Sequence, residues 1–344
     1  MFTTKISELS RREFLKLNTL GLLGAFLPQI ANPSKAALVK YGRVMDTRIT
    51  MFDRPSFQGN PIKSYAFDNI LTITGSEQGD KFPLYNQIWY QIQDQGFIHS
   101  AQLQPVAIQF NAPDSSVPIH GNLSEVTVPF ADALVEPIRG AAFAYRYYYS
   151  STHWVDKHIL DINSKSWYRV RDDQKEDSYY FVPAEHLRII PSEETDTLSP
   201  EVPLEQKRIE VNTNAQIMIA YEGSDPVFIS TVSLGDKGSN PQWRTPLGPF
   251  KTFYKRPSRH MAAGNRAFGD YDLPGVPWVS YINTWGIAFH GTYWHNDYGR
   301  PRSHGCINLT PEGAKWVYRW TMPHVPYDAE LKYLQNHGTQ VNIV

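Results

Sequence analysis

Residues 303–310 read Ser-His-Gly-Cys-Ile-Asn-Leu-Thr, and Cys306 among them is the only cysteine in 344 residues. A thiol attacks a carbonyl carbon as its thiolate. A neighbouring imidazole supplies the base and lowers the thiol pKa from its free value of about 8.5. Two histidines are candidates for that work. His304 lies two residues before Cys306, and on an extended strand the two side chains point to one face. His290 lies upstream, followed by Gly291, in the stretch AFHGTYWHNDYGRPRSHGCINLT from Ala288 to Thr310. Spacing alone does not choose between them. Gly305 leaves room for a substrate to approach the backbone. Backbone N–H groups there can hold a developing oxyanion, an effect worth about 3–4 kcal/mol per donor. Asn308 shares the Cys306 face of an extended strand and is a candidate hydrogen-bonding group for substrate.

Other chemistries fit these residues less well. One cysteine cannot form a disulfide within the chain, and no second thiol is present to resolve a redox intermediate. His290, His295, His304 and Cys306 are zinc-ligating types, but their spacings match no common zinc arrangement, so no metal and no cofactor is expected. The formal charge of −1 and the lack of a long basic run exclude the usual signature of a nucleic-acid partner.

The elements that must position this site follow from pattern. Thr310-Pro311-Glu312 reads as a helix start, Thr as N-cap and Pro at the first helical position, with PEGAKWVYRW as the helix. QIMIAYEG and PVFISTVSLG flank a Gly-Ser-Asp-Pro turn and read as a hairpin. Residues 256–285 are rich in Gly, Pro and aromatics and read as a long loop, either a lid or a surface excursion. Residues 193–206 are polar and proline-bearing and read as a linker.

Further upstream, short alternating runs broken by turn residues predict small β units. They occur twice. IWYQIQDQ and GFIHSAQLQPV match SWYRVRDDQ and YYFVPAEHLRIIP, aligning Trp89-Tyr90 with Trp167-Tyr168, Phe97-Ile98 with Phe181-Val182, and Leu103 with Leu187. At the N-terminus, SRREFLKL and a short apolar stretch to Ala31 precede Ser34-Lys35-Ala36. The order of basic, apolar and small-residue parts is that of a cleaved signal. The Arg11–Arg12 pair resembles a twin-arginine export signal. No later segment is long and apolar enough to span a bilayer, so the mature chain is expected in the periplasm or cell wall, or anchored if the signal is uncleaved.

The motif HG followed by SHGCIN, with TPLGPF at Thr245–Phe250, resembles the catalytic signature of L,D-transpeptidases of the YkuD type. The W-Y and G-F-I repeats resemble bacterial SH3-like domains. These resemblances imply a mainly β fold: a signal over 1–36, SH3-like β-barrels over 37–110 and 111–192, the linker, and a catalytic domain over 207–344. They imply Cys306 as nucleophile and His290 as base, with the Gly291 carbonyl orienting its other ring nitrogen. Ser303, His304 and Gly305 would shape the oxyanion site, with the N–H groups of His304, Gly305 and Cys306 as donors. Tyr281, Trp285, Gly286 and Trp294 would line the groove. The implied partner is a peptidoglycan stem peptide and the implied reaction a 3→3 acyl transfer. Transfer to water, to a free D-amino acid or to a protein would use the same site, and a non-catalytic wall-binding protein is the alternative from another class.

Overall fold

The computed structural model describes residues 41–174, 177–236, 238–263 and 271–344; the signal expected over 1–36 lies outside them. Among the described residues the chain is mainly β, with one α-helix. The strands are β1 (Tyr41–Val44), β2 (Arg48–Phe52), β3 (Pro61–Ala66), β4 (Ile70–Gln78), β5 (Ile88–Ile92), β6 (Gly96–His99) and β7 (Leu103–Val106). Next come β8 (Asn122–Val126), β9 (Phe130–Leu134), β10 (Phe143–Tyr148), β11 (Thr152–Leu160), β12 (Ser166–Arg171), β13 (Tyr179–Pro183) and β14 (Leu187–Ile189).

The first seven strands lie in the order β3-β2-β6-β5-β4-β1-β7, and the next seven in the order β10-β9-β13-β12-β11-β8-β14. These orders are the same once seven is added to each label. The register agrees as well. Tyr90 faces Ile98 across β5 and β6, and Tyr168 faces Val182 across β12 and β13. A single 3-10 turn, Ser100–Gln102 or Ala184–His186, then leads to the aligned Leu103 or Leu187. The sequence repeat is therefore a structural repeat, and the aligned aromatic pairs occupy equivalent rungs.

The remaining strands are β15 (Lys207–Asn212), β16 (Ile217–Glu222), β17 (Asp225–Thr231), β18 (Gly248–Lys251), β19 (Tyr254–Ala262), β20 (Asp272–Tyr281), β21 (Ala288–Gly291), β22 (Ile307–Leu309), β23 (Lys332–Tyr333) and β24 (Gln340–Ile343). They form two five-stranded sheets, β17-β16-β15-β24-β18 and β22-β21-β20-β19-β23. The expected β16–β17 hairpin is present, closed by Gly223-Ser224, where Gly223 has φ +61° and so takes the left-handed conformation cheaply. Helix α1 (Pro311–Trp320) starts as expected: Thr310 Oγ1 accepts from the Gly313 N–H at 3.1 Å, with Pro311 at the first helical position.

Two expectations are corrected. The 256–285 segment is not a long loop but largely the β19–β20 hairpin; residues 264–270 between the strands lie outside the described residues. Its prolines argue against a central strand. Yet residues 274–280 are continuously buried, because α1 packs against β20 from one element and β11 of the second repeat from another. Residues 193–206 are also packed down. Glu194 pairs with Arg188 at 2.6 Å and with Lys315 of α1, and Lys207 Nζ donates to the Leu198 carbonyl at 2.9 Å. These partners lie far away in sequence, where composition gives no sign of them.

The main core mixes units. Leu123, Trp154 and Ile190 of the second repeat pack in the same buried cluster as Trp278, Phe289, Ile307, Val317 and Trp320. Each repeat also keeps a core of its own.

Candidate active site

β21 and β22 run parallel, with Phe289 facing Ile307 and His290 facing Asn308. A parallel pair needs a crossover connection, and residues 292–306 supply it. That crossover holds the chemistry-bearing residues together: His290 ends one strand and Cys306 immediately precedes the other.

His290 is buried, and its Nδ1 lies 3.0 Å from the Gly291 carbonyl. A carbonyl only accepts, so Nδ1 carries the proton and Nε2 of the neutral ring keeps its lone pair. Burial pulls the imidazole pKa down to about 4, overcoming the carbonyl bond, which raises it. The Trp294 ring packs on His290 with centroids 5.7 Å apart.

Cys306 retains partial exposure. Its Sγ–H donates to the Gly286 carbonyl at 3.5 Å. The protein around the sulfur pushes the thiol pKa up to about 11, against a contact at the Ala288 backbone that lowers it. This corrects the expectation of a depressed thiol pKa. Desolvation thus disfavours the charged form of each group, the thiolate and the imidazolium alike.

The loop before the nucleophile is braced from within. Ser303 Oγ donates to the Cys306 carbonyl at 2.6 Å and accepts from the Gly305 N–H at 3.0 Å. The Gly305 N–H is thereby removed from the expected oxyanion donors. Gly305 has φ +128°, which favours glycine; a Cβ there would lie 2.7 Å from Ile287 Cδ1, the tip of a side chain that could shift. Its carbonyl accepts from Thr245 Oγ1 at 2.9 Å, and the same hydroxyl accepts from the Gly235 N–H at 2.9 Å. The Thr-Pro motif was visible in sequence; the bracing role of Thr245 was not.

The strand does not extend back through residues 304–306, so the shared face expected for His304 and Cys306 does not form. His304 is exposed, its ring 4.0 Å from that of Trp243 and 5.4 Å from that of Tyr271. Asn308 is corrected too. It is 1% exposed, and its amide meets His295 Nε2 at 2.9 Å, turned into the protein rather than toward a ligand. His295, expected as a plain loop residue, is buried; its Nδ1 accepts from the Asp297 N–H at 3.3 Å, and burial lowers its pKa to about 3. Among the described residues no group of three metal-ligating side chains is gathered.

Of the expected groove residues, Gly286 touches the sulfur and Trp294 packs on His290. Gly286 supplies the carbonyl just described, and Trp285 beside it is 80% exposed. Tyr281 faces Ala288 in the ladder and stacks on Tyr254 at 5.0 Å. Its hydroxyl pKa is raised to about 12, mainly by burial, with the Cys306 charge among the further causes.

Sequence gave no hint of how the first repeat reaches this site. Arg43 of β1 is 1% exposed and donates to the Tyr293 carbonyl, Asp68 and Gln104 at 2.5, 2.8 and 2.9 Å. Its guanidinium also lies 4.0 Å from the Tyr148 ring centroid in the second repeat. Asn296 Nδ2 donates to the carbonyls of Ser100 and Leu103. The crossover between His290 and Cys306 is thus moored to the first repeat.

The family model for YkuD, the L,D-transpeptidase catalytic domain, matches residues 206–343. A putative L,D-transpeptidase of Bacillus subtilis, YciB, is 31% identical over 128 residues, which are 33% of this chain and 62% of that protein. A mutant of the Enterococcus faecium L,D-transpeptidase aligns at 23% identity over 40% of this chain and 50% of its own, with a TM-score of 0.32. The isolated catalytic domain of the E. faecium enzyme aligns at 25% identity over 41% of this chain and 98% of its own, with a TM-score of 0.31. The chain thus spans less than two thirds of the B. subtilis protein and half of the first E. faecium structure. The motif around Cys306, the Thr-Pro motif and the family match coincide within residues 206–343, which match the YkuD-type L,D-transpeptidase catalytic domain.

Proposed function

We propose that this chain is a cysteine-dependent peptidoglycan L,D-transpeptidase. The observation that carries the reading is the His290 Nδ1 contact to the Gly291 carbonyl, which leaves Nε2 as the basic nitrogen on the strand beside Cys306. The Cys306 sulfur attacks the carbonyl of the third residue of a stem tetrapeptide, and His290 Nε2 takes the thiol proton in that step. The C–S bond forms, the C–N bond to the terminal D-Ala breaks, and His290 returns the proton to the leaving amine. An acceptor amine then attacks the thioester, giving a 3→3 cross-link and restoring the thiol.

Because desolvation disfavours the free thiolate, the reading has His290 take the proton as the sulfur attacks. Exposed, Trp243-packed His304 supports His290 as the base. The Cys306 N–H is the candidate oxyanion donor, and Tyr281, Trp285, Gly286 and Trp294 are the groove. Export by the signal over 1–36 would bring the chain to its substrate, with the two repeats as SH3-like wall-holding units. Acceptor choice among amine, water, free D-amino acid and protein lies in the groove beyond these residues.

Mass spectrometry of the full chain after incubation with a tetrapeptide or a carbapenem should show one adduct, on Cys306. Cys306→Ala should abolish it, and His290→Ala should slow it by about 100-fold or more. Full turnover by Cys306→Ala would overturn the mechanism. Muropeptide analysis of treated sacculi reports which acceptor is used.

A further inference from the structure

A cleft of about 800 Å³ lies between the first repeat and residues 297–302 of the crossover. Its volume is in the range of small-molecule sites, and the reaction described above uses none of its residues.

Two features of its lining point to a ligand. The first is a pair of orphan acceptors. Asp297, 4% exposed, directs Oδ2 to Arg300 and Arg302 at 3.4 and 3.5 Å, but its buried Oδ1 has no hydrogen-bond partner. Gln102 Oε1, also in the lining, is likewise buried and unpartnered. Such buried atoms are destabilising unless a donor reaches them. The second is a set of fixed aromatic surfaces. Phe57 rests against Trp89 and His99, with centroids at 4.7 and 5.1 Å, yet stays 49% exposed; Phe82 is 73% exposed.

Charge then selects the ligand class. Lys81, Arg300 and Arg302 are opposed by Asp46, Asp80 and Asp297, so the lining is balanced and favours neither an anion nor a cation. A neutral molecule with many hydroxyl or amide donors and apolar ring faces satisfies the orphan acceptors and covers the aromatics. That description is a saccharide.

We propose that this cleft binds a neutral amino-sugar chain, with Phe57 and Phe82 as stacking surfaces and with Asp297 and Gln102 accepting from sugar O–H or N–H groups. Its identity as the wall's glycan strand rests on the function proposed above; the binding does not. Asp297, Arg300 and Arg302 of the lining belong to the crossover that joins His290 to Cys306.

The test is calorimetric titration of the full chain with an uncharged N-acetylglucosamine tetramer, in parallel with a sugar-free stem tetrapeptide. Saturable tetramer binding is expected, weakened at least tenfold in Phe82→Ala and in Phe57→Ala and unchanged in Cys306→Ala. Acylation of Cys306 by the sugar-free tetrapeptide should be unaffected in Phe82→Ala, whose exposed ring can be removed without loss of fold. Absence of tetramer binding, binding insensitive to Phe82→Ala, or loss of tetrapeptide affinity in Phe82→Ala would each overturn the proposal. Intact tetramer binding with no adduct on Cys306 would instead sink only the catalytic reading.

Discussion

At the residue scale, the surroundings of the two groups proposed to do the chemistry disfavour the charged form of each. Burial lowers the His290 pKa to about 4 and raises that of Cys306 to about 11. Cys306 and both candidate bases were legible because they lie within a short stretch, and the Gly291 contact was implied by the family resemblance. It misjudged Asn308, since alternation along a strand gives a face but not what covers that face. Asn308 faces His290 in the ladder and spends its amide on buried His295. Asn308→Ala should therefore cost about 1–3 kcal/mol of stability through the stranded imidazole, seen as a lower melting temperature, with the KM for tetrapeptide unchanged. A raised KM at unchanged stability would return Asn308 to the substrate.

At the element scale, the crossover from β21 to β22 depends on residues remote in sequence. Arg43 is 250 positions from Tyr293, whose carbonyl it holds, and Tyr293 precedes the Trp294 that packs on His290. Periodicity and turn signals carry no information across such a distance, so this mooring was illegible. The repeats, by contrast, were legible, because aromatic pairs on equivalent rungs recur with the same spacing. The β19–β20 hairpin was hidden by Pro257, Pro274 and Pro277, which punctuate a sequence that burial nonetheless extends. Arg43→Met should destabilise the fold by about 3–5 kcal/mol, the cost of breaking a buried charged pair. It should also lower kcat for acylation more than it raises KM, because the wall beside His290 loosens. An unchanged kcat in the folded variant would show that the mooring only stabilises.

At the scale of the whole molecule, three buried histidines set an acid limit. Burial lowers His153 to about 3, His290 to about 4 and His295 to about 3. Each binds a proton in the unfolded chain near pH 6.5 but not in the folded one until far lower pH. Between those values the unfolded state holds more protons, so stability falls as pH falls. The stabilisation is fully present above about pH 6.5 and is lost through pH 4; His290 alone accounts for on the order of 3 kcal/mol. Melting temperatures measured from pH 7.5 to 4 should drop steadily below pH 6.5. A flat profile would mean that these rings are hydrated in solution.

The shared strand order of the two repeats has a last consequence. The two copies of one strand order are used differently. The later copy lends Leu123, Trp154 and Ile190 to its neighbour's interior, while the earlier one reaches that neighbour through Arg43 and backbone carbonyls taken by Asn296. The later copy is bound by shape and can drift only where volume is conserved. The earlier is bound by a few directed polar contacts, which leaves the rest of its surface open to selection for new ligands.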